Sequence, residues 1–374
     1  MKEKGFEVYG ISSPGEFLSK FADREQVPTY AVAMPRSITP LRDLVAVWQL
    51  WRRLGQIRPA IVHSHTPKGG LLGMIAAWLA RTPVRVYHMR GLPFITATGL
   101  KRRLLMLTEW VSCLLAHEVL CVSHSVREVA VSERLCPAGK VKVLAGGSGN
   151  GVDAERRFNP DRVGMEIGRA TRRAYGIPDH AAVAGFVGRL VRDKGLCELA
   201  GAWGLLRTEF TDLHLLIVGP FEGEDPLPSD VITILKTDDR IHLTGGVPDT
   251  VSMYAAMDLL VLPTYREGFP NVLLEAAAMG LPVVATRVPG CVDAVADEET
   301  GRLVPAADAQ ALAEGIRAYV KDSELRRLHG TAGRERVLKS FRQRVIWEAL
   351  YQEYRSILKQ SGMPLPMERG AEES

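Results

Sequence analysis

The 374-residue sequence has few cysteines and no motif that would use them. The five cysteines are an odd number, lie far apart and form no C-x-x-C pair; they are Cys113, Cys121, Cys136, Cys197 and Cys291. This pattern excludes a disulfide-rich scaffold and a structural zinc cluster, and it indicates a reducing cytosol. No apolar run reaches the roughly 18 residues that a membrane-spanning helix requires.

The net charge of +4 conceals an asymmetry between the two halves of the chain. Residues 1–178 contain 26 Lys+Arg against 14 Asp+Glu, whereas residues 179–374 contain 21 against 29. A basic field of this kind suits nucleic acid, an anionic membrane surface or a phosphorylated substrate, and a solvated basic face is the alternative. No helix-turn-helix, zinc finger or aromatic-studded RNA-binding strand accompanies the charge, so no nucleic-acid partner is expected. The basic positions include Arg52, Arg53, Arg58, Arg81, Arg85, Arg90, Lys101, Arg102 and Arg103.

Short apolar strands alternate with helical patterns, which is typical of an α/β fold with doubly wound parallel sheets. Strands are predicted at 6–11, 60–64, 84–88, 118–122, 141–145, 182–187, 213–218, 240–243, 258–262, 282–285 and 302–304. Helices are predicted at 41–57, 69–81, 100–116, 124–135, 194–208, 249–256, 270–279, 290–296, 308–320, 322–338 and 341–359.

The polar stretch 153–180 separates two such series and predicts a linker with an entry helix. We therefore expect one Rossmann-like domain over 1–178 and a second over 179–340. Residues 341–374 are predicted to form a helix that packs back across both domains, followed by the polar tail MERGAEES. Two such domains would face each other across a cleft at the carboxyl ends of their strands, where these sheets bind ligands.

The most informative stretch is DLLVLPTYREGFPNVLLEAAAMG, residues 258–280. Its strand ends near Pro263, and Gly268-Phe269-Pro270-Asn271 opens a helix, with Pro270 expected in the first turn. The free N–H groups and positive dipole end of that helix suit a diphosphate. Glu275 lies among apolar residues and needs a partner such as ligand hydroxyl groups. The alternative is that Glu267 and Glu275 are both surface residues at a helix edge.

A second stretch, GFVGRLVRDKGL, covers residues 185–196. Here a strand runs into Gly188, and Arg189 and Lys194 flank the following turn. Two cations after a strand end suit a pyrophosphate. An exposed basic loop is the alternative.

Together these stretches resemble the retaining family-4 glycosyltransferases of the GT-B fold. The segments GFVGRLVRDKGL, LLIVG, IHLTGGVPD, MDLLVLPTYREGFPNVLLEAAAMGLPVVAT and ETGRLVP occur in the family's order and spacing. The first half resembles a bacterial polysaccharide-assembly subgroup through RSITPLRDL, IVHSHTPKGGLLG, RGLPF, LCVSHSVRE and GNGVD. The resemblance covers about residues 1–355 and implies two Rossmann-like domains facing a central cleft.

The resemblance also implies roles for individual residues. Glu267 would contact the transferred sugar, and Glu275 the ribose hydroxyls of the nucleotide. Arg189 and Lys194 would neutralise the diphosphate leaving group as its charge develops. The loop beginning at Gly188 belongs to the same donor site. Backbone N–H groups of the helix start would assist the two cations, and a second loop would border the base. The helix start comprises Gly268, Phe269, Pro270, Asn271, Val272 and Leu273, and the loop comprises Thr244, Gly245, Gly246 and Val247.

No D-x-D motif occurs in the chain, which fits a metal-free reaction. Since two cations and helix amides are available for the diphosphate, we expect neither Mg²⁺ nor any other cofactor; the nucleotide-sugar is a co-substrate. In this family the acceptor oxygen attacks on the leaving-group face and configuration is retained, so no enzymatic nucleophile is nominated.

The acceptor side of the site is less regular. The family commonly has a histidine before the glycine that aligns with Gly91, and in VYHMRGLPF that position is Arg90. His88 lies two residues earlier and so points to the same side of its strand; its alternative role is a hydrogen-bonded core histidine. Arg90 stays protonated and is a poor general base, but it suits a phosphate of the acceptor. His65, close to His63 at another strand end, is a weaker candidate for acceptor contact.

These observations predict a retaining, metal-independent hexosyltransferase of capsule or exopolysaccharide assembly. Its partners would be a nucleotide-sugar and a polyprenyl-diphosphate-linked or glycan acceptor, and UDP is the favoured nucleotide. The basic first domain predicts a cytoplasmic, peripheral location on an anionic membrane surface. The alternatives are a UDP-sugar 2-epimerase of the same architecture and an inactive sugar-nucleotide-binding fragment. Family members also begin with a strand, a glycine loop and a helix before the segment KEKGFEVYG, so we expect the first domain to lack its first βα unit.

Overall fold

A computed structural model describes residues 1–35 and 37–366 of the chain, so the predicted tail at 367–374 lies outside the described residues. The strands are β1 (Gly10–Ser12), β2 (Thr29–Ala31), β3 (Ile61–His65), β4 (Val84–Met89), β5 (Glu118–Cys121), β6 (Val141–Val143), β7 (Ala182–Val187), β8 (Leu213–Val218), β9 (Ile241–Leu243), β10 (Leu259–Leu262), β11 (Val283–Thr286) and β12 (Gly301–Val304). The helices of the first half are α1 (Glu16–Glu25), α2 (Pro40–Ile57), α3 (Pro67–Leu79), α4 (Gly99–Leu115), α5 (His124–Ser132), α6 (Pro160–Val163) and α7 (Met165–Ala174). Those of the second half are α8 (Leu196–Glu209), α9 (Ser229–Thr237), α10 (Val251–Ala256), α11 (Asn271–Ala278), α12 (Cys291–Ala294), α13 (Ala309–Lys321), α14 (Ser323–Ser340) and α15 (Gln343–Gln360).

The second half of the chain forms a six-stranded parallel sheet in the order β9-β8-β7-β10-β11-β12. Its central strands β7, β8 and β10 are apolar except for His214 of β8, and all six residues of β8 are buried, because helices cover both faces. The strand order reverses direction between β7 and β10, which pair directly. In doubly wound sheets this switch point leaves a crevice at the carboxyl ends of the two strands, where ligands bind.

The first half contains two separate parallel sheets. Strands β3, β4, β5 and β6 form one in chain order, and β1 and β2 form the other. Among the described residues no strand pairs with both β1 and β3, and a cavity of about 590 Å³ lies between them, lined by residues such as Ile11, Leu54 and Val62. The absence of a first βα unit stays a prediction, as do the predicted domain boundaries.

Several local predictions were wrong. The strand expected at 6–11 is confined to Gly10–Ser12, because Phe6 instead packs edge-on against Tyr351 of α15, with 6.2 Å between ring centroids. Strand β2 and helices α1 and α9 were not predicted. β2 has only three residues, too few for a periodic pattern, and α1 buries none of its residues against a core.

The last helix, α15, packs on the first-half sheet. Ile357 and Leu358 are buried together with Val84, Val86 and Leu120 of β4 and β5. On the same helix Glu353 accepts a charged hydrogen bond from Lys142 of β6 at 3.0 Å. The chain thus returns from the second sheet to complete the core of the first.

All five cysteines lie in the described part of the chain. The five cysteines are free, and four of them are buried. Within residues 1–35 and 37–366, no helix combines the length and the apolar character that crossing a membrane requires.

A buried carboxyl group lies between α4 and β4. Glu109 is 1 % exposed, and its Oε2 accepts a hydrogen bond of 2.6 Å from the Tyr87 hydroxyl. Its other oxygen has no hydrogen-bond partner among the described residues. Burial disfavours the charged form and raises the pKa of Glu109 from 4.5 to about 7.

This carboxyl group should make stability fall as pH rises. Between its unfolded pKa near 4.5 and its folded pKa of about 7, the native state binds more protons than the unfolded state, so the free energy of unfolding decreases with pH. A shift of this size corresponds to roughly 3 kcal/mol. We expect Glu109→Gln to gain most of that amount relative to wild type between pH 5 and pH 8 in urea unfolding. The exposed Glu128→Gln is the control, and parallel pH profiles for Glu109→Gln and wild type would contradict the assignment.

Candidate functional site

The candidate site lies at the switch point of the second sheet. Gly188 directly follows β7, and the segment carrying Glu267 follows β10. Because β7 and β10 are neighbours, the two sequence stretches that carry the predicted donor residues reach the same crevice. The fold thereby brings together two stretches that lie about 75 residues apart in sequence.

The predicted phosphate-binding cations are held by carboxylates. Lys194 donates to Glu267, and both side chains are less than one-fifth exposed. Arg189 donates to Glu222 at 2.8 Å. Each cation is therefore positioned and partly neutralised, and an entering diphosphate would compete with a carboxylate for it.

A small cavity of about 130 Å³ brings together predicted residues from both halves of the chain. Arg90 contributes from the segment after β4, while Arg189, Lys194 and Glu267 contribute from the second half. Arg266 and Asp193 also line this cavity, so four cationic side chains and two carboxylates surround one space. An arrangement of this kind is suited to stabilising negative charge on a phosphate.

Glycine is required where the two halves meet. A Cβ atom on Gly268 would lie 1.9 Å from the carbonyl oxygen of Arg90, and one on Gly290 would lie 2.4 Å from the carbonyl oxygen of Gly268. Ser123, at the start of α5, donates to that same Gly268 oxygen at 2.8 Å. Only a residue without a side chain permits this backbone approach.

Helix α11 begins one residue later than predicted, and Pro270 is its N-cap rather than a member of its first turn. Proline has no N–H, and the N–H of Leu273 already donates to the Pro270 carbonyl at 3.1 Å. Pro270 and Leu273 are therefore excluded from the six expected backbone donors. Those at Gly268, Phe269, Asn271 and Val272 remain as candidates.

The side chains of this segment anchor it. Phe269 is buried against Phe341, with ring centroids 5.4 Å apart, and Leu273 is fully buried in the core. These contacts fix the start of α11 against the body of the protein.

The predicted base-bordering loop lies beside the Gly188 turn. Gly219 donates to the Gly245 carbonyl at 2.9 Å, and a Cβ atom on Gly219 would lie 1.8 Å from the Gly188 oxygen. Thr244 donates through its hydroxyl to Gly245, and Val247 packs against the core. The loop is thereby tied to the end of β7.

Glu275 has a protein partner that the sequence did not reveal. The hydroxyl of the buried Tyr254, on α10, donates to Glu275 Oε2 at 2.8 Å. Burial raises the pKa of Glu275, while the Tyr254 hydrogen bond and Arg157 act in the opposite direction. A single phenol leaves acceptor capacity on this carboxylate for ligand hydroxyl groups.

On the acceptor side, Arg90 faces the cavity and His88 lies behind it. Arg90 Nε donates to His65 Nδ1 at 3.1 Å, and its guanidinium also reaches Asn150 at 3.4 Å. His88 is 6 % exposed, and its Nδ1 has no hydrogen-bond partner in the described residues. Burial lowers the pKa of His88 well below its usual value, with the positive charge of Arg90 adding to the effect.

The imidazoles of His63, His65 and His88 have ring nitrogens within 4.8 Å of one another, a spacing that a metal ion would fit. However, Arg90 donates to His65, and its positive charge repels a cation. Burial together with Arg90 lowers the pKa of His65 to about 3, and the Nδ1 atom of this neutral ring is occupied as the acceptor of the Arg90 hydrogen bond. We therefore do not assign a metal to this cluster.

Sequence reasoning missed a second contact between the halves. Asp293 of α12 accepts hydrogen bonds from the backbone N–H groups of His124 and Ser125 at the start of α5, and from the Ser125 hydroxyl. The carboxylate thereby caps a helix from the other half of the chain. A capping residue that is distant in sequence leaves no local motif, so only the folded structure reveals it.

Comparison with known proteins decides the family. A family model described as "Glycosyl transferases group 1" matches residues 181–322, and one described as "Glycosyl transferase 4-like domain" matches residues 4–147. The capsular polysaccharide biosynthesis glycosyltransferase CapM of Staphylococcus aureus is 34 % identical over 361 residues, which cover 96 % of this chain and 93 % of that protein. The chain belongs to this glycosyltransferase family. The resemblance seen in the sequence is confirmed.

Other relatives of this glycosyltransferase are more distant. The Escherichia coli UDP-Gal:alpha-D-GlcNAc-diphosphoundecaprenol alpha-1,3-galactosyltransferase is 25 % identical, covering 90 % of this chain and 85 % of that protein. Among solved structures, HepE of Anabaena superposes with a TM-score of 0.76 at 20 % identity, covering 93 % of this chain and 92 % of that one. Sucrose-phosphate synthase of Thermosynechococcus elongatus gives 0.74 at 22 %, covering 90 % and 84 %. These likenesses confirm the expected GT-B fold.

Removing the Lys194 charge should impair this glycosyltransferase in the transition state. We expect Lys194→Ala to lower kcat/KM by roughly 100-fold or more, because one preorganised contact to developing phosphate charge is lost. The exposed Lys339→Ala is the control. Steady-state kinetics and melting temperatures of both variants provide the measurement, and a near-normal kcat/KM for a folded Lys194→Ala protein would contradict the role.

Arg90 and His88 should differ in importance. We expect Arg90→Ala to reduce turnover more than His88→Ala, since Arg90 lines the cavity and His88 is buried behind it. Turnover is compared per folded protein, with circular dichroism reporting the folded fraction. If His88→Ala is the more damaging change, the functional residue is the histidine.

Proposed function

We propose that this glycosyltransferase transfers a sugar, with retention of configuration, from a UDP-sugar to a polyprenyl-diphosphate-linked or glycan acceptor in cell-envelope polysaccharide synthesis. The observation that carries the proposal is the cavity in which Arg90 of the first half meets Lys194 and Glu267 of the second. A transferase needs donor and acceptor groups within reach of one another, and this cavity joins the two predicted halves of the site.

The relatives support the substrate classes. CapM is named for capsular polysaccharide biosynthesis, and the Escherichia coli relative is named for a UDP-galactose donor and a diphosphoundecaprenol-linked acceptor. A Campylobacter jejuni relative, 26 % identical over 87 % of this chain and 85 % of that protein, is likewise named for a diphospho-undecaprenol-linked acceptor. The names of the Escherichia coli and Campylobacter jejuni relatives thus share a diphosphate-linked polyprenyl acceptor.

On the donor side, Lys194 and Arg189 leave their carboxylate partners and bind the diphosphate. The free N–H groups at the start of α11 add partial positive charge at the same place. Once Lys194 turns to the phosphate, Glu267 is released to accept hydrogen bonds from the transferred sugar. Glu275, positioned by Tyr254, accepts from the ribose hydroxyl groups.

As the glycosidic bond to the phosphate breaks, negative charge grows on the leaving oxygen, and the two cations stabilise it. The acceptor hydroxyl attacks from the leaving-group face, and its proton passes to the departing phosphate, so configuration is retained without a protein nucleophile. Because the protein supplies the positive charge, we propose that no divalent metal takes part.

On the acceptor side, Arg90 holds a phosphate group. Its guanidinium is fixed by His65 and Asn150, so it presents its remaining N–H groups in a defined direction. We further propose that the protein works in the cytoplasm as a peripheral protein of an anionic membrane surface, where a polyprenyl-linked acceptor resides.

The experiment screens UDP- and GDP-sugars for a ligand-dependent rise in melting temperature, then assays transfer to a polyprenyl-diphosphate-linked glycan with and without EDTA. We expect a UDP-sugar to stabilise the protein and EDTA to leave transfer unchanged. A strict divalent-metal requirement would contradict the metal-free reaction. An epimerised sugar would instead identify a 2-epimerase, and binding without turnover an inactive nucleotide-binding protein.

A further inference from the structure

Helix α4 carries an apolar stripe on its outer face. Leu100, Leu104, Leu107, Trp110 and Leu114 recur every three or four residues and are all exposed, Leu100 by 82 %. A stripe with this period normally packs into a core. Here the core is contacted by the opposite face of the helix, through Glu109, Ser112 and Cys113. The exposed stripe therefore has no partner in the described structure.

Helix α2 has the same construction. Its exposed apolar residues also follow the helical period, while Ala46, Leu50 and Leu54 are buried on the other side. The exposed large apolar residues of α2 are Leu41, Leu44, Val45, Trp48 and Trp51. Since α3 packs against both α2 and α4, the three helices form one layer. Trp78 and Leu79 at the end of α3 extend the exposed apolar surface between its neighbours.

The acidic and the basic side chains of this layer face opposite directions. Its two acidic residues point inward: Asp43 is held by Lys68 at 2.7 Å, and Glu109 is buried. Its basic residues include Arg42, Arg52 and Arg103, which are exposed. None of these three has an ion-pair partner among the described residues. The outer face therefore combines apolar stripes with unneutralised positive charge, which is the composition of helices that lie in an anionic membrane interface.

Tryptophan is concentrated on the same face. Four of the six tryptophans in the chain lie there, and each is more than two-fifths exposed; they are Trp48, Trp51, Trp78 and Trp110. The indole ring has an apolar body and a polar N–H, and it is enriched where hydrocarbon meets lipid headgroups. A soluble protein surface gives no reason for such a concentration.

The layer also ends at the cleft. Lys101 and Leu105 of α4 line a cavity of about 600 Å³ that is shared with Arg189 and Arg266 of the second half. A bilayer lying against the three helices would therefore deliver a lipid-linked diphosphate beside the candidate site.

We infer that the outer face of α2, α3 and α4 is a docking surface for an anionic lipid bilayer. The inference rests on the proposed function in one respect: membrane docking helps the enzyme because it presents a lipid-linked acceptor at the cleft. The tryptophan and leucine side chains enter the interfacial region, and the arginines contact the phosphate groups of the lipids.

The first test measures binding to vesicles of phosphatidylcholine and phosphatidylglycerol in the absence of any sugar nucleotide. We expect Trp48→Ser/Trp110→Ser to weaken partitioning by about tenfold or more, because two interfacial anchors are lost. The matched control is Trp347→Ser/Leu328→Ser, which removes two exposed apolar residues on α15 and α14. Equal loss in the control would overturn the assignment, as would an absence of wild-type binding. Melting temperatures establish that the variants are folded.

The second test removes charge. We expect Arg42→Gln/Arg52→Gln/Arg103→Gln to weaken binding by about tenfold or more and to flatten its dependence on salt and on phosphatidylglycerol content. The control Arg156→Gln/Arg162→Gln/Lys339→Gln removes the same charge elsewhere on the surface and should leave binding unchanged. Wild-type protein that binds pure phosphatidylcholine equally well would overturn the role of the arginines.

Two further measurements separate this proposal from its alternatives. If sedimentation shows a dimer that Trp48→Ser/Trp110→Ser dissociates, the face is an interface between copies of the chain and the proposal fails. Transfer to an acceptor solubilised in detergent is expected to survive in both face variants. Wild-type protein that binds vesicles but transfers no sugar would remove the proposed function and leave the docking surface standing.

Discussion

The contact between Gly268 and Arg90 sets the geometry on which the candidate site depends. Because a side chain at Gly268 would collide with the Arg90 carbonyl group, the two backbones meet directly. This contact brings Arg90 to the same cavity as Lys194 and Glu267, which follow two neighbouring strands of the other sheet. Ser123 and Asp293 hold the same junction through hydrogen bonds to the opposite half. The positions of the charged groups thus follow from a backbone contact.

Within that junction, two of the cations are paired with carboxylates before any ligand arrives. Lys194 and Glu267 neutralise each other, as do Arg189 and Glu222. Such pairs lower the cost of keeping cations in a partly buried crevice, yet a diphosphate with two negative charges competes well for them. In the function that we propose, the diphosphate replaces these carboxylates as the partner of the two cations. Glu275 has a neutral partner instead of a cation: the Tyr254 hydroxyl donates to one carboxylate oxygen and orients the side chain.

Local patterns predicted the second sheet well, because its strands are apolar runs such as β7 and its loops carry family motifs. Prediction failed where the pattern is short or the partner distant. Strand β2 has three residues, and the Tyr254–Glu275 and Asp293–α5 contacts join residues that no local motif connects. The outer faces of α2 and α4 show a further limit: their helical period is visible in sequence, but which side faces the core is decided only by packing.

The position of α15 has a consequence for biosynthesis. Ile357 and Leu358 complete a core that begins with Val84 and Val86, and Tyr354 forms a hydrogen bond with His63, which lies 291 residues earlier in the sequence. A ribosome emits the chain from its N-terminus, so the first sheet is translated long before the helix that covers it. The second sheet has its strands and covering helices close together in sequence and can assemble as it emerges. The core of the first half is therefore completed last, and until α15 packs on it, its exposed apolar surface can bind chaperones.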